Sequence, residues 1–177
     1  MEQQEILTLL QQVAEGSMTP QQAQLQLKMA PFEDLGFAKL DHHRALRQGV
    51  AEVIYGAGKT PEQIRAIAQA MLARGQRTVL ITRMSAEAAA AMEGLPFRYD
   101  PLSRVGIAGT LPEPDGHGTI LIATGGTSDQ PVAEEAALTA EALGNRVVRL
   151  YDVGVAGLHR LLAHLDEIMS AQVIVAI

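Results

Sequence analysis

The chain has 177 residues, with 47% apolar side chains, 19% charged side chains and a formal net charge of −6. This composition excludes a disordered chain and predicts a folded protein of one or two small domains. The acidic excess argues against binding to nucleic acid or to an anionic membrane surface. Because the sequence has no cysteine, it can form no disulfide, thiolate metal site or cysteine nucleophile.

The N-terminus carries no recognisable targeting signal. Residues 1–5 are acidic and polar, unlike the basic start of a signal peptide or the Arg-rich composition of a transit peptide. No apolar run along the chain is long enough to cross a bilayer. We therefore expect a cytoplasmic protein.

The first predicted elements are two helices, which would form a hairpin. Apolar residues recur at helical spacing until Gly16, which ends the first helix. The second helix begins with a capping-box pattern, in which Thr19 is the cap, Pro20 the first helical residue and Gln22 the third.

A strand-helix alternation follows and predicts a parallel sheet. The strands are expected at 50–55, 78–82 and 104–108, and the helices at 61–74 and 85–92. The helix after Thr60 begins with the same capping-box pattern as the second helix: Thr60 is the cap, Pro61 the first helical residue and Gln63 the third. Together with the hairpin, this region predicts a small βαβ-type N-terminal domain over residues 1–110.

Residues 111–118 contain two prolines and two glycines and are the predicted linker. Beyond them, strands are expected at 119–123, 147–150 and 173–177, and helices at 131–143 and 158–169. This second domain, 119–177, is short for an independent domain. It also ends on an apolar strand with no helix to follow, so we expect it to be incomplete at its C-terminus.

The first candidate site is the turn Gly125-Gly126-Thr127-Ser128-Asp129. It lies between a buried strand and a helix, where backbone N–H groups, glycines and hydroxyls suit a phosphate. In open parallel sheets, ligands bind at this end of the strands. The alternative is an ordinary turn in which Asp129 caps the helix, and both interpretations stay open.

A second candidate is the cationic cluster of Asp41, His42, Arg44 and Arg47, to which Lys59 is added. Arginine side chains can hold phosphate or carboxylate groups through paired hydrogen bonds. No metal site is predicted, because adjacent histidines point to different helix faces. For residues 41–47 the alternative is a capped helix with a solvated charged face. For Lys59 the alternative is a plain turn that leads into a capped helix.

Asp152 follows the strand at 147–150, so its carboxylate would lie near a ligand held by Ser128 and Asp129. Two close carboxylates can act as acid and base if their surroundings separate their pKa values. A helix-capping role for Asp152 is the alternative. His159 and Arg160 are interpreted as packing and surface residues of the last helix.

Two longer strings carry a family resemblance. The segment Leu40–Gly49, followed by Glu52–Gly56, resembles the N-terminal region of LarB proteins, which make the nickel-pincer nucleotide cofactor. The string Thr124–Asp129 resembles the glycine-serine-x-serine-aspartate turn of PurE-type carboxylases, whose fold LarB shares in its C-terminal domain. The resemblance implies an α/β protein: a helical hairpin and small βαβ-type domain, then the first half of a PurE-like (flavodoxin/Rossmann-like) parallel-sheet, three-layer domain.

The same resemblance implies a function. LarB proteins carboxylate the pyridinium ring of nicotinic acid adenine dinucleotide with CO2 and hydrolyse its phosphoanhydride, giving the pyridinium-3,5-biscarboxylate mononucleotide and AMP. On this analogy Gly125, Gly126, Thr127, Ser128 and Asp129 would hold the mononucleotide half, with Asp129 and Asp152 as catalytic candidates. The remaining phosphate and the adenylate are assigned to Asp41, His42, Arg44, Arg47 and Lys59.

The resemblance also has implications for cofactors and partners. We expect CO2 or bicarbonate as co-substrate, no tightly bound cofactor, and a homo-oligomer at full length. Mg2+ is compatible with the anhydride step, although no ligand set in the sequence indicates it. The family's reaction uses a cysteine that this chain lacks, so the chain alone is expected to be inactive.

Two alternatives remain. A PurE-type carboxylase acting on aminoimidazole ribonucleotide shares the turn, but its serine-alanine-histidine-arginine string is replaced here by Asp152-Val153-Gly154-Val155. A non-catalytic nucleotide-binding fragment is the other alternative, and the missing cysteine favours it. Binding without turnover would distinguish this third interpretation from the two enzymes.

Overall fold

The computed structural model describes residues 3–28, 33–40 and 50–177. The chain divides into two compact units, residues 1–52 and 53–177. Four residues of the predicted cationic cluster, Asp41, His42, Arg44 and Arg47, lie outside the described residues. Within the described ranges, no helix has both the length and the apolar character needed to cross a membrane.

The first unit begins with the predicted helical hairpin. Helix α1 spans Gln3–Ala14 and helix α2 spans Pro20–Lys28. The capping box of α2 is present: Gln22 donates its N–H to Thr19 Oγ1 at 3.2 Å, and Thr19 donates its N–H to Gln22 Oε1 at 2.9 Å. The two helices contact each other, which confirms the hairpin.

A small antiparallel ladder follows the hairpin in sequence. Strand β1, Glu33–Asp34, pairs with strand β2, Lys39–Leu40. The turn between them is closed by a hydrogen bond of 2.8 Å from the Leu35 N–H to the Ala38 carbonyl. The sequence analysis predicted no element here, because strands of two residues have no periodicity to detect.

The second unit contains a four-stranded mixed sheet with the order β3-β4-β6-β5. These strands are Ile54–Tyr55, Thr78–Thr82, Phe97–Asp100 and Val105–Gly109 for β3, β4, β5 and β6. Helix α3, Pro61–Ala73, connects the parallel strands β3 and β4. Helix α4, Ala86–Ala90, follows β4.

The sheet differs from the predicted parallel arrangement at two strands. Strand β5 was not predicted, and β6 pairs antiparallel with both β4 and β5. A tight turn joins β5 to β6, and within it Ser103 donates its N–H to Asp100 Oδ2 at 2.8 Å. Short connections join antiparallel neighbours such as β5 and β6. The parallel prediction is wrong for the strands at 78–82 and 104–108, because β6 runs antiparallel to β4. The first predicted strand is also shorter, because residues 50–53 have no partner strand in the described part of the chain.

The second sheet is parallel, with the order β8-β7-β9. Strands β7, β8 and β9 span Thr119–Ala123, Arg146–Leu150 and Val173–Ala176. Helix α5, Gln130–Ala142, lies between β7 and β8 in sequence. The predicted last helix is in fact two, α6 at Leu158–Leu162 and α7 at Leu165–Ser170. The interruption occurs at His164, whose φ of −115° and ψ of 22° are not helical.

Helix α5 packs against both sheets of the second unit. Its Leu138 and Ala142 contact the four-stranded sheet at Leu80, Val105 and Ile107. Its Ala133 and Ala137 contact the other sheet through Ile122. Leu161 of α6 and Ile168 of α7 cover the opposite face of that sheet around Leu121. The parallel sheet therefore has helices on both faces, which confirms the predicted α/β, PurE-like three-layer arrangement.

The predicted linker, residues 111–118, contains no helix or strand. It is attached to the end of α5, because Asp115 and Gly116 both donate their N–H groups to the carbonyl of Gly144, at 3.0 and 3.1 Å. Residues on both sides of this segment belong to the second unit. The domain boundaries at 110 and 119 remain predictions.

Candidate functional site

The turn Gly125–Asp129 connects β7 to α5 at the carboxyl end of the parallel sheet. Residues Thr127–Asp129 form a single 3₁₀ turn, and α5 begins at Gln130 with Pro131 in its first turn. Proline is favoured there because its missing N–H has no helical acceptor to lose. Thr127 and Ser128 are exposed.

The Asp129 carboxylate closes this turn. Its Oδ2 accepts a hydrogen bond from the Gly126 N–H at 2.9 Å, and its Oδ1 accepts one from the Ser128 hydroxyl at 3.3 Å. Asp129 is at the N-cap position of α5, but its side chain makes no capping hydrogen bond to that helix. The capping interpretation is therefore wrong for the side chain, because the carboxylate is turned back toward Gly126.

Thr124 joins the turn after β8 to the turn after β7 by hydrogen bonds. It is buried, and its hydroxyl oxygen accepts a hydrogen bond from the Asp152 N–H at 3.0 Å. Its carbonyl accepts from the Val153 N–H at 3.0 Å, and its own N–H donates to the Leu150 carbonyl at 3.1 Å. One buried residue thus holds the backbone that follows β8 against the backbone that follows β7.

Gly154 brings the two turns into direct contact. Its N–H donates to the Gly125 carbonyl at 3.0 Å. A Cβ at position 154 would lie 2.4 Å from that carbonyl oxygen, so a side chain cannot be accommodated without moving the backbone. The predicted proximity of the segments around Gly125 and Asp152 is thus present at the level of the backbone.

Asp152 is held by an ion pair. Its φ is +59°, in the left-handed region that aspartate tolerates better than most residues. Its Oδ2 lies 2.5 Å from Nη1 of Arg160, and no helix begins at the residue after it. The helix-capping interpretation of Asp152 is therefore wrong.

Sequence analysis missed Arg160 as a site residue. Arg160 was interpreted as a packing or surface residue, but its guanidinium contacts the carboxylate at the end of β8. The 3₁₀ turn Val155–Gly157 separates the two residues, so no helical spacing relates them. The only signal in the sequence was the acidic residue directly after a strand.

A second polar group joins β8 to α5 beside the site. Tyr151 donates its hydroxyl to Glu134 Oε1 at 2.9 Å, and Arg149 pairs with Glu134 and Glu141 at 3.1 and 2.6 Å. Burial, followed by the hydrogen bond to Glu134, raises the pKa of Tyr151 to about 12. The pKa of Arg149 is also raised, chiefly by its hydrogen bond to Glu141. These groups stabilise the packing of β8 on α5.

Lys59 lies in a different turn, after β3. Its ammonium group donates to the Tyr55 carbonyl at 2.9 Å, and its N–H donates to the Gly56 carbonyl at 3.1 Å. Its described contacts are therefore within its own turn, although its side chain is exposed. Its predicted partners Asp41, His42, Arg44 and Arg47 are outside the described residues, so their grouping remains a prediction.

The side chains at the ends of β7 and β8 include groups that can bind a polar ligand. Carboxylate oxygens accept hydrogen bonds, hydroxyls donate or accept them, and a guanidinium binds anions. Asp129 and Ser128 of the turn after β7 and Arg160 of helix α6 supply these three groups. Among the described residues, no three His, Asp or Glu side chains come together as metal ligands.

Part of the chain matches a known protein family. Residues 32–109 match the family model described as the LarB/PurE-like N-terminal domain. An uncharacterized protein of Methanocaldococcus jannaschii is 31% identical over 166 residues, covering 89% of this chain. The chain spans 65% of the length of that relative. The match over 32–109 confirms the resemblance seen in the sequence: this part of the chain is similar to the LarB/PurE-like N-terminal domain.

Proposed function

We propose that this chain binds nicotinic acid adenine dinucleotide for a LarB-type reaction. In that reaction CO2 carboxylates the pyridinium ring, and hydrolysis of the phosphoanhydride yields AMP and the biscarboxylated mononucleotide. The observation that carries the proposal is the Gly125–Asp129 turn, which lies at the carboxyl ends of two parallel strands. The family match over residues 32–109 supports LarB in preference to other proteins with such turns.

The turn is suited to the ribose of the mononucleotide half. Each carboxylate oxygen of Asp129 accepts one hydrogen bond within the turn and retains a lone pair for a second donor. Ribose hydroxyls are such donors. The exposed hydroxyls of Thr127 and Ser128 add further hydrogen-bonding groups at the same edge. We assign the ribose to Asp129 on this basis.

The adenylate half is assigned to a separate group of cations. His42, Arg44 and Arg47, together with the acidic Asp41, form the charged string of the LarB-like segment, and Lys59 carries an exposed ammonium group. Arginine and lysine side chains stabilise the phosphates of a dinucleotide by charge-assisted hydrogen bonds. This assignment stands on charge and on the family resemblance.

The chemistry of the ring limits what this chain does alone. An electron-poor pyridinium gains a new carbon–carbon bond to CO2 only after a nucleophile adds to the ring and makes another ring carbon electron-rich. Loss of that carbon's proton and departure of the nucleophile then restore the aromatic ring. The family's nucleophile is a cysteine thiolate, and this chain has no cysteine.

The two aspartates are assigned different roles. Asp152 is engaged with Arg160, whereas Asp129 faces its own turn with both oxygens only partly used. Asp129 is therefore the better candidate to accept a proton from substrate or water. We propose binding and orientation of the nucleotide by the 177-residue chain, without turnover.

Calorimetric titration with nicotinic acid adenine dinucleotide, together with an assay using labelled bicarbonate, tests this function. We expect saturable binding of the dinucleotide and no label in product. Aminoimidazole ribonucleotide provides the comparison ligand. Label entering aminoimidazole ribonucleotide, or an absence of dinucleotide binding, would overturn the proposal.

A further inference from the structure

We propose that Arg160 binds the 5′-phosphate of the mononucleotide half and that Asp152 is its positioning residue. This inference rests on the proposed function, because it adds a residue to the same ligand site. It assigns a role to the Asp152–Arg160 ion pair, which takes no part in the hydrogen bonds that close the Gly125–Asp129 turn. The argument depends on where Arg160 lies, how it is held and which charges surround it.

Contacts link Arg160 to the ribose-binding turn. Its Nη1 lies 2.5 Å from the Asp152 carboxylate, and the Asp152 N–H lies 3.0 Å from the Thr124 hydroxyl oxygen. Thr124 directly precedes Gly125 in the turn. The guanidinium is therefore next to the backbone at the ends of β7 and β8, where ligands bind in open parallel sheets.

The backbone around Arg160 leaves space for its side chain. A Cβ at Gly157 would lie 2.7 Å from Nε of Arg160, so the guanidinium stem lies directly against the 3₁₀ turn Val155–Gly157. The N–H of Gly157 in turn donates to the Gly154 carbonyl at 3.0 Å. Gly154 contacts Gly125, so the surface supporting Arg160 is continuous with the ribose-binding turn.

Asp152 fixes the direction of the guanidinium without using all of its donors. A guanidinium has five N–H donors, and the ion pair engages Nη1. Asp152 is the one side-chain acceptor of Arg160 found in the described ranges. The Arg160 side chain is 38% exposed, which leaves the remaining donors accessible to a ligand. An arginine fixed in this way presents a preformed fork for a phosphate.

Local charge makes a cation necessary for a phosphate here. Asp129 and Asp152 each contribute a carboxylate at this edge, and like charges would repel the phosphate dianion. The turn Gly125–Asp129 contains no basic residue. Arg160 is the basic side chain that contacts these turns in the described part of the chain. It offsets the carboxylates and attracts the phosphate.

Three ligands separate the phosphate from the ring carboxylate. Nicotinic acid mononucleotide has both groups, nicotinamide mononucleotide has the phosphate alone, and nicotinic acid riboside has the carboxylate alone. In the full 177-residue chain, Arg160→Gln is expected to weaken binding of both mononucleotides about tenfold or more. Binding of the riboside should be unchanged. Isothermal titration calorimetry provides the dissociation constants.

A matched control and two further variants complete the design. Arg98→Gln removes the same charge from an arginine that pairs with Glu141 at 3.8 Å and should leave all three affinities unchanged. Arg160→Lys keeps the charge without the fork and should restore part of the mononucleotide affinity. Asp152→Asn tolerates the left-handed backbone and should lower mononucleotide affinity less than Arg160→Gln, as a positioning role requires.

The outcomes are distinguishable. Wild-type binding of the mononucleotides that is unaltered in Arg160→Gln would overturn the role of Arg160 and leave the proposed function standing. An equal loss for all three ligands, or a loss that follows the ring carboxylate, would also overturn it. A wild-type chain that binds neither the mononucleotides nor the dinucleotide would overturn both proposals.

Discussion

The two glycine-containing turns that connect a parallel strand to a long helix have different architectures. After β3, the turn is self-contained: Gln63 donates its N–H to Thr60 Oγ1 at 3.3 Å, and Thr60 donates its N–H to Gln63 Oε1 at 3.0 Å. After β7, the polar side chain of Asp129 faces back to Gly126 and leaves α5 without a side-chain cap. The first turn completes a helix, and the second presents polar groups.

The difference comes from the neighbouring strand. The turn after β7 is joined by the end of β8 through Thr124 and by the contact of Gly154 with Gly125. The turn after β3 has Gly56 bonded to Thr82 at the end of β4, with the Gly56 N–H 2.7 Å from the Thr82 carbonyl. Arg83, directly after β4, also makes an ion pair, but its partner at 3.2 Å is Glu135 of helix α5. Similar local sequences therefore become a structural cap or a ligand site according to which residues the adjacent strand supplies.

The largest expected effect is that of Gly154→Ala. The added Cβ would lie 2.4 Å from the Gly125 carbonyl oxygen, so we expect the free energy of unfolding to fall by about 2–3 kcal/mol. Gly58→Ala is the control: position 58 has open space around it, and its positive φ of +80° should by itself cost about 1 kcal/mol. Urea denaturation measures both. Equal losses would contradict the close contact between the turns.

Asp129→Ala tests whether this carboxylate contributes mainly to nucleotide binding or to the stability of the fold. The variant removes two acceptors within an exposed turn, so we expect nucleotide affinity to fall about tenfold. The melting temperature should change little, because the side chain does not cap α5. Calorimetry and a thermal melt give the two quantities. Proportionate losses of affinity and melting temperature would favour a purely structural role.

Thr60→Ala is the reciprocal test in the turn after β3. Loss of the capping box of α3 should lower the free energy of unfolding by about 1 kcal/mol. Affinity for the nicotinic acid mononucleotide should be unchanged, because the capping box is confined to its own turn. A marked loss of affinity in this variant would contradict the view that the Thr60 capping box stabilises the fold while the turn after β7 binds the mononucleotide.

Tyr151→Phe has the smallest expected effect at neutral pH. The folded protein raises the pKa of Tyr151 from 10.0 to about 12, chiefly by burial, so folding favours the protonated phenol. This contribution is complete below about pH 10 and is lost as the pH rises toward 12. Tyrosinate absorbance should show the step near pH 12 in the wild type and lose it in Tyr151→Phe. Persistence of that step in the variant would contradict the assignment.

Much of the fold was predictable because its signals are local. Both capping boxes begin at the predicted residues, Thr19 and Thr60, and strands β4 and β7 have the predicted bounds. These features follow from side-chain periodicity and from hydrogen bonds between residues three positions apart. Strand β5 was missed, since Phe97–Asp100 is short and its pattern FRYD has no continuous apolar run.

The candidate site was predictable in part. The turn Gly125–Asp129 and the position of Asp152 at the end of a strand follow from the order of elements. The contact of Arg160 with Asp152 does not, because it depends on the left-handed backbone of Asp152 and on a short 3₁₀ turn. The direction of the Asp129 carboxylate was also missed, because the sequence does not distinguish a hydrogen bond to Gly126 from a cap on α5.

Amide chemical-shift mapping tests the central claim most directly. The 177-residue chain, labelled with 15N, is titrated with nicotinic acid mononucleotide, which lacks the adenylate half assigned to Lys59. The account predicts the largest shift changes in the second unit at the amides of Gly125, Gly126, Ser128, Asp129 and Gly154, with the capping box at Thr60 unaffected. Shift changes that leave Gly125–Asp129 unaltered, or that centre on the capping box of α3, would contradict it.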